Sequence, residues 1–131
     1  MTASASQDPV APAGWHTLTP RIVVGDPPGL VAFLSHVFDA KGEYDPVSPS
    51  ILRIGDSNVM ISRVGARGPA TAFLYVYVSD PDSTYIRALE RGAASVEEPF
   101  DTPYGDRRCM VEDPWGNLWQ IAAYKAARED V

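Results

Sequence analysis

A chain of 131 residues, 45% apolar and 21% charged, is large enough and apolar enough to close one hydrophobic core without staples. Its net charge of -6, from 11 basic and 17 acidic side chains, argues against a surface that neutralises nucleic-acid phosphates. The single cysteine, Cys109, excludes an intrachain disulfide and a cysteine-based zinc site, and no apolar run approaches the ~20 residues a membrane-spanning helix needs.

Residues 1–16 are rich in Ala, Ser and Pro and lack the basic-then-apolar pattern of a secretory signal. They read as a disordered or extended lead-in, and a cytoplasmic location is expected. A first strand is expected in "TPRIVVGD", starting at Pro20 because proline donates no ladder hydrogen bond. "DPPGLVAFLSHVFDAKG" predicts a helix capped by Asp26, with prolines in its first turn, apolar residues at helical spacing and Gly42 as the stop. Short strands follow at 50–54 and 59–62, joined by the "GDSN" turn, and "GARGPA" is a loop by composition.

The second half runs in the same order. A strand at 71–79 leads to a helix, "DPDSTYIRALERG", capped by Asp80 or Asp82 and closed at Gly92. Three strands, "AASVEEPF", "RRCMVE" and "LWQIAAY", are separated by the "DTPYGD" loop and the "DPWGN" turn. "VVGDP" aligns with "YVSDP", and "NVMI" aligns with "LWQI". The chain therefore reads as an internal repeat. Residues 17–66 form a first βαβββ module, 67–124 a second, and 125–131 a polar tail, all in one domain.

These residues resemble the vicinal oxygen chelate superfamily, which contains glyoxalases, bleomycin resistance proteins and dioxygenases, and within it the PhnB-like branch. The carrying stretches are "VVGDPPGLVAFLSHVFDA", "IGDSNVMIS", "VYVSDPDSTYIRALERGA" and, most specifically, "PYGDRRCMVEDPWGNLWQIA". The resemblance implies an α+β fold in which two βαβββ modules form a U-shaped mixed sheet around a cleft, frequently in a dimer. It also implies a range of activities, from metal-dependent lyases, isomerases and dioxygenases to metal-free proteins that bind antibiotics.

In metal-using relatives the ligands come from strand positions that correspond here to Thr19, Met60, Phe73 and Gln120. A hydroxyl, a thioether, a phenyl ring and a neutral amide do not neutralise a hard divalent cation. No metal and no other cofactor are expected. Strand alternation then puts Thr19, Arg21 and Val23 on the cleft face of the first strand, with Met60 and Ser62 beside them. Phe73, Tyr75 and Tyr77 share that face in the second module with Leu118, Gln120 and Ala122. The opposite residues, Ile22, Val24, Val59, Ile61, Leu74, Val76, Trp119 and Ile121, are all apolar and suit packing under the helices.

Thr19, Arg21, Met60, Ser62, Phe73, Tyr75, Tyr77, Leu118 and Gln120 are therefore the candidate ligand-binding residues; no catalytic residue is assigned. Tyr104, Arg107 and Trp115 are candidates for the rim. For Arg107 a second role stands open, the clamping of a neighbouring carboxylate. Arg53, Arg63 and Arg67 read as solvated charges, and Cys109 as a buried small residue. The function expected is metal-free binding of a planar or amphipathic organic molecule by a homodimer. The alternatives are a glyoxalase-like lyase, isomerase or dioxygenase, and a structural or regulatory dimer module.

Overall fold

The computed structural model describes residues 8–125; the first seven residues of the lead-in and residues 126–131 of the tail lie outside it. The first module contains β1 (Arg21–Val24), α1 (Pro27–Phe38), β2 (Ser50–Ile54) and β3 (Ser57–Arg63). The second contains β4 (Phe73–Tyr77), α2 (Pro81–Glu90), β5 (Ala94–Asp101), β6 (Arg107–Glu112) and β7 (Leu118–Ala123). The strands form a three-stranded sheet ordered β1-β3-β2 and a four-stranded sheet ordered β4-β7-β6-β5. Both are mixed, and the α+β architecture of two modules is borne out.

The register demonstrates the repeat. Arg21 opposes Met60 in the parallel pair β1–β3, and Tyr75 opposes Gln120 in the parallel pair β4–β7. Ile51 opposes Met60, and Met110 opposes Gln120, in the antiparallel pairs that follow. The turn explains why the glycines of "GDSN" and "DPWGN" fall out of step. Gly55 and Asp56 alone link Ile54 to Ser57, with Gly55 at φ 58, whereas Pro114, Trp115 and Gly116 link Asp113 to Asn117.

Only two strands follow α1, where the sequence pattern predicts three. The remnant of the third is a single bridge between Lys41 and Arg53. Beyond it the chain carries Pro46 and Pro49, which donate nothing to a ladder. Asp45 also curls the backbone, its carboxylate accepting from the amides of Val47 (2.9 Å) and Ser48 (3.0 Å).

Helix ends follow their capping chemistry. Asp26 accepts from the amide of Gly29, and Asp80, not Asp82, accepts from the amide of Ser83. The stop of α1 is a correction: Asp39, at φ 55, takes the left-handed position expected of Gly42.

Both sheets turn their apolar faces onto the helices and into one core. Ile22, Val24, Val59 and Ile61 from the first sheet join Leu30, Phe33 and Leu34 of α1, Ala88 of α2, and Cys109, Val111, Trp119 and Ile121 of the second sheet. Phe38 packs against Trp119, and the Arg87 guanidinium on α2 donates to the carbonyl of Val37 at the end of α1. Residues 8–16 contain no helix or strand, yet the carbonyl of Gly14 accepts from Arg53 (3.2 Å) and Asn58 (3.1 Å) and pins this segment to the β2–β3 hairpin. Among the described residues no helix is long and apolar enough to cross a membrane.

Candidate functional site

Sharing one core has a direct consequence for the two ligand faces. Because both backs meet the same helices, both fronts look outward. Phe73, Tyr75 and Tyr77 are 61%, 39% and 64% exposed, although they lie at the centre of the most β-prone segment of the chain. Arg21 and Ser62 line hollows on the first module to which β4 and β7 contribute no residue. Thr19 precedes β1 rather than lying within it. The structure thus gathers the candidate residues into two groups on one chain: Arg21, Met60 and Ser62 on one sheet, and Phe73, Tyr75, Tyr77, Leu118 and Gln120 on the other.

The second group is an aromatic platform. Tyr75 and Tyr77 lie with ring centroids 5.3 Å apart, and Tyr77 meets Tyr124 edge-on at 6.4 Å. Register adds residues that the sequence reading passed over: Arg108 opposes Ala122 and Met110 opposes Gln120, so both lie on this front. Alternation within "RRCMVE" carries that signal, since Cys109 and Val111 are buried. Arg108 is held in a fork by Glu97 (Nε–Oε1 3.0 Å, Nη2–Oε2 3.3 Å), donates to the Tyr104 hydroxyl (3.2 Å) and lies 5.2 Å over the Phe100 ring. Its charge is therefore matched, and the platform is close to neutral.

Desolvation, assisted by Tyr104, pushes the Tyr75 phenol up to about 12. At neutral pH it is a hydrogen-bond donor and a stacking surface rather than a base. The Gln120 carboxamide, half-buried between Tyr75 and Met110, makes no side-chain hydrogen bond within the described residues. It is free to offer one donor and one acceptor to a ligand.

The rim candidates separate. Tyr104 stands on the front with Arg108. Arg107 is turned to the helix side, where it forks Asp82 (3.0 and 2.9 Å) and reaches Asp101 (3.4 Å). These carboxylates raise the guanidinium further above its ordinary range, so the clamp is the role the geometry supports. Trp115 packs edge-on against Phe33 of α1 at 6.2 Å, at the seam of the modules rather than at the platform.

The "DPWGN" turn is a structural device. Asp113 is 3% exposed, and its carboxylate accepts from the amides of Trp115 and Asn117, from Asn117 Nδ2 and from Trp119 Nε1, all at 2.8–2.9 Å. Asn117 in turn accepts from the amide of Ala72 at 2.9 Å, which aligns β4 with β7. The motif therefore sets the register that places Tyr75 beside Gln120.

The four metal positions fail a fit test on donor chemistry. Phe73 is an exposed phenyl ring, Met60 a thioether, and Thr19 and Gln120 are neutral. Among the described residues no three His, Cys, Asp or Glu side chains gather into a possible ion cage. Buried Cys109 is a protonated thiol, pushed up to about 12 chiefly by desolvation.

Known proteins match this arrangement. A relative from Mycobacterium bovis is 29% identical over 122 residues, covering 79% of this chain and 80% of its own length. TioX from Micromonospora sp. ML1 superposes with a TM-score of 0.71 at 28% identity, covering 82% of this chain and 98% of that one. A Sphaerobacter thermophilus superfamily member superposes with a TM-score of 0.68 at 17% identity, covering 83% and 97%, a likeness of fold alone. The sequence pattern of one family spans residues 14–121, and the chain therefore belongs to the Glyoxalase/Bleomycin resistance protein/Dioxygenase superfamily.

Proposed function

We propose that this chain is a small-molecule-binding member of its superfamily that works without a metal, as a homodimer, in the cytoplasm. Its ligand is planar or amphipathic and stacks on Phe73, Tyr75 and Tyr77, with Gln120 setting its orientation. One observation carries the reading: an exposed aromatic platform surrounds a carboxamide that has no side-chain hydrogen-bond partner among the described residues. The dimer follows from the outward fronts. A cleft lined by both groups of candidate residues needs the first-module front of one copy to face the second-module front of the other.

The test is calorimetric titration of planar aromatic ligands into the full chain, with and without added nickel, zinc or manganese, alongside light scattering. Saturable binding that metals leave unchanged, by a dimer, is the expected result. Tyr75→Ala weakens that binding by ~1–3 kcal/mol. Stoichiometric metal uptake, or a monomer that binds no ring compound, refutes the reading.

A further inference from the structure

Three arginines of this acidic chain converge on one hollow. Arg21, Arg63, Arg67 and Ser62 line a cavity of about 620 Å³ beneath the loop that joins the modules, and no acidic residue is among its lining. The loop is fastened at both ends. The Val64 amide donates to Val24, and Val23 and Ala70 exchange two backbone bonds of 3.0 Å. Gly68, at φ 79, turns the chain between them. Arg53, grouped with the other arginines by sequence, lies elsewhere on the hairpin.

None of the three cations is compensated by a carboxylate within 4.0 Å among the described residues, whereas Arg107 and Arg108 both are. Arg21 donates through Nε to Ser62 Oγ at 2.9 Å, which fixes its plane and leaves both terminal nitrogens without a hydrogen-bond partner among the described residues. Arg63 is steadied by neutral acceptors, the Gly25 carbonyl (3.3 Å) and the Tyr44 hydroxyl (3.1 Å). Arg67 makes no side-chain hydrogen bond among the described residues. A neighbouring hollow shares Arg21, Ser62 and Arg63 and carries Asp45 in its lining, where one Asp45 carboxylate oxygen accepts from the amides of Val47 and Ser48 and no Asp45 oxygen lies within 4.0 Å of a guanidinium nitrogen. A net charge of -6 makes three unmatched guanidinium groups around one cavity a local reversal of sign.

We propose that this hollow is an oxyanion site, in which Arg21, Arg63 and Arg67 bind a carboxylate or phosphate group of a small organic anion. Planar guanidinium forks match both head groups in shape and charge. The site is complete within one chain. Only the further step, that the same ligand places a ring on the partner copy's aromatic platform, rests on the function proposed above. The ligand class is then an aromatic anion, with its charge on the first module and its ring on the second.

Amide-resolved NMR titration of the full chain tests the site without a ring. Inorganic phosphate and acetate, added at matched ionic strength, are expected to give saturable shifts at Ser62, Arg63 and residues 65–70, and the tighter of the two identifies the head group. Arg67→Gln, an exposed loop change, should weaken that binding at least fivefold. No saturable shift there from either anion, or equal binding by Arg67→Gln, overturns the site. A second arm compares 2-naphthoate with 2-naphthalenemethanol. The acid should bind at least tenfold tighter, Arg67→Gln should reduce that advantage to about twofold, and Tyr75→Ala should weaken both compounds alike. If the acid shifts the hollow but ignores Tyr75→Ala, the oxyanion site stands and the aromatic platform falls. Equal affinity for acid and alcohol, with the hollow silent, overturns the oxyanion site and leaves the platform in place.

Discussion

Replacing Asp113 by Asn changes one atom in the buried turn and inverts part of its hydrogen bonding. Oδ1 accepts from the Trp115 and Asn117 amides, and a carboxamide oxygen in that place preserves both bonds. Oδ2 accepts from Asn117 Nδ2 at 2.8 Å and Trp119 Nε1 at 2.9 Å. An NH2 group there faces two donors with a third. Asn117 and Trp119 are both 0% exposed, so water does not replace the lost acceptor without repacking. Each unsatisfied buried donor costs ~1–3 kcal/mol, so the two left by Asp113→Asn cost ~2–6 kcal/mol together. Domains of this kind have ~5–15 kcal/mol in total, so the loss should shift a urea midpoint visibly while leaving a folded protein. Urea unfolding followed by tryptophan fluorescence reads it. A loss below ~1 kcal/mol, with Trp119 still buried, would falsify the argument that this carboxylate is what holds the turn.

Alkaline pH should destabilise the protein through Cys109 and Tyr75. Both groups are raised in the folded state to about 12, from 9.0 and 10.0, so the folded chain holds protons that the unfolded chain releases. Stability is complete below pH 9 and falls between about 9 and 12. Cys109→Ser should flatten the onset of that fall, and an unchanged pH profile would count against burial as the cause. Gly29→Ala should cost ~1–3 kcal/mol, because the added methyl meets Trp115 Cζ2 at 2.7 Å as well as the Asp26 cap; thermal unfolding that matches the parent refutes this contact. Arg107→Ala should lower stability by ~1 kcal/mol through loss of its half-exposed carboxylate clamp and leave ligand affinity unaltered. A weakened ligand instead would return Arg107 to the rim.

Much of this protein was legible from local rules. Asp26 and Asp80 ahead of proline marked both helix starts, because a cap side chain and a missing amide act within one turn of the chain. Alternation in "RIVV", "FLYVY" and "LWQI" separated the buried face from the exposed one, since the strand period is 2 whatever the sheet packs against. Asp39 escaped notice as the stop of α1 because a left-handed aspartate is an uncommon substitute for glycine. The strand lost after α1 was hidden because prolines and an Asp45 turn act by withdrawing ladder bonds, which simple periodicity does not register.

The sequence by itself determined the two modules, their repeat, the apolar backs of the sheets and the poverty of metal ligands at the four family positions. Only the tertiary structure decided that both backs enter one core, so that the two fronts of a chain point outward instead of at each other. It also turned Arg107 to the helices and Arg108 to the platform, and brought Arg21, Arg63 and Arg67 around a single cavity. The physical reason is range. Caps, turns and alternation are set by neighbours a few residues apart, whereas the partner of a guanidinium is whatever the fold brings within about 3 Å of it.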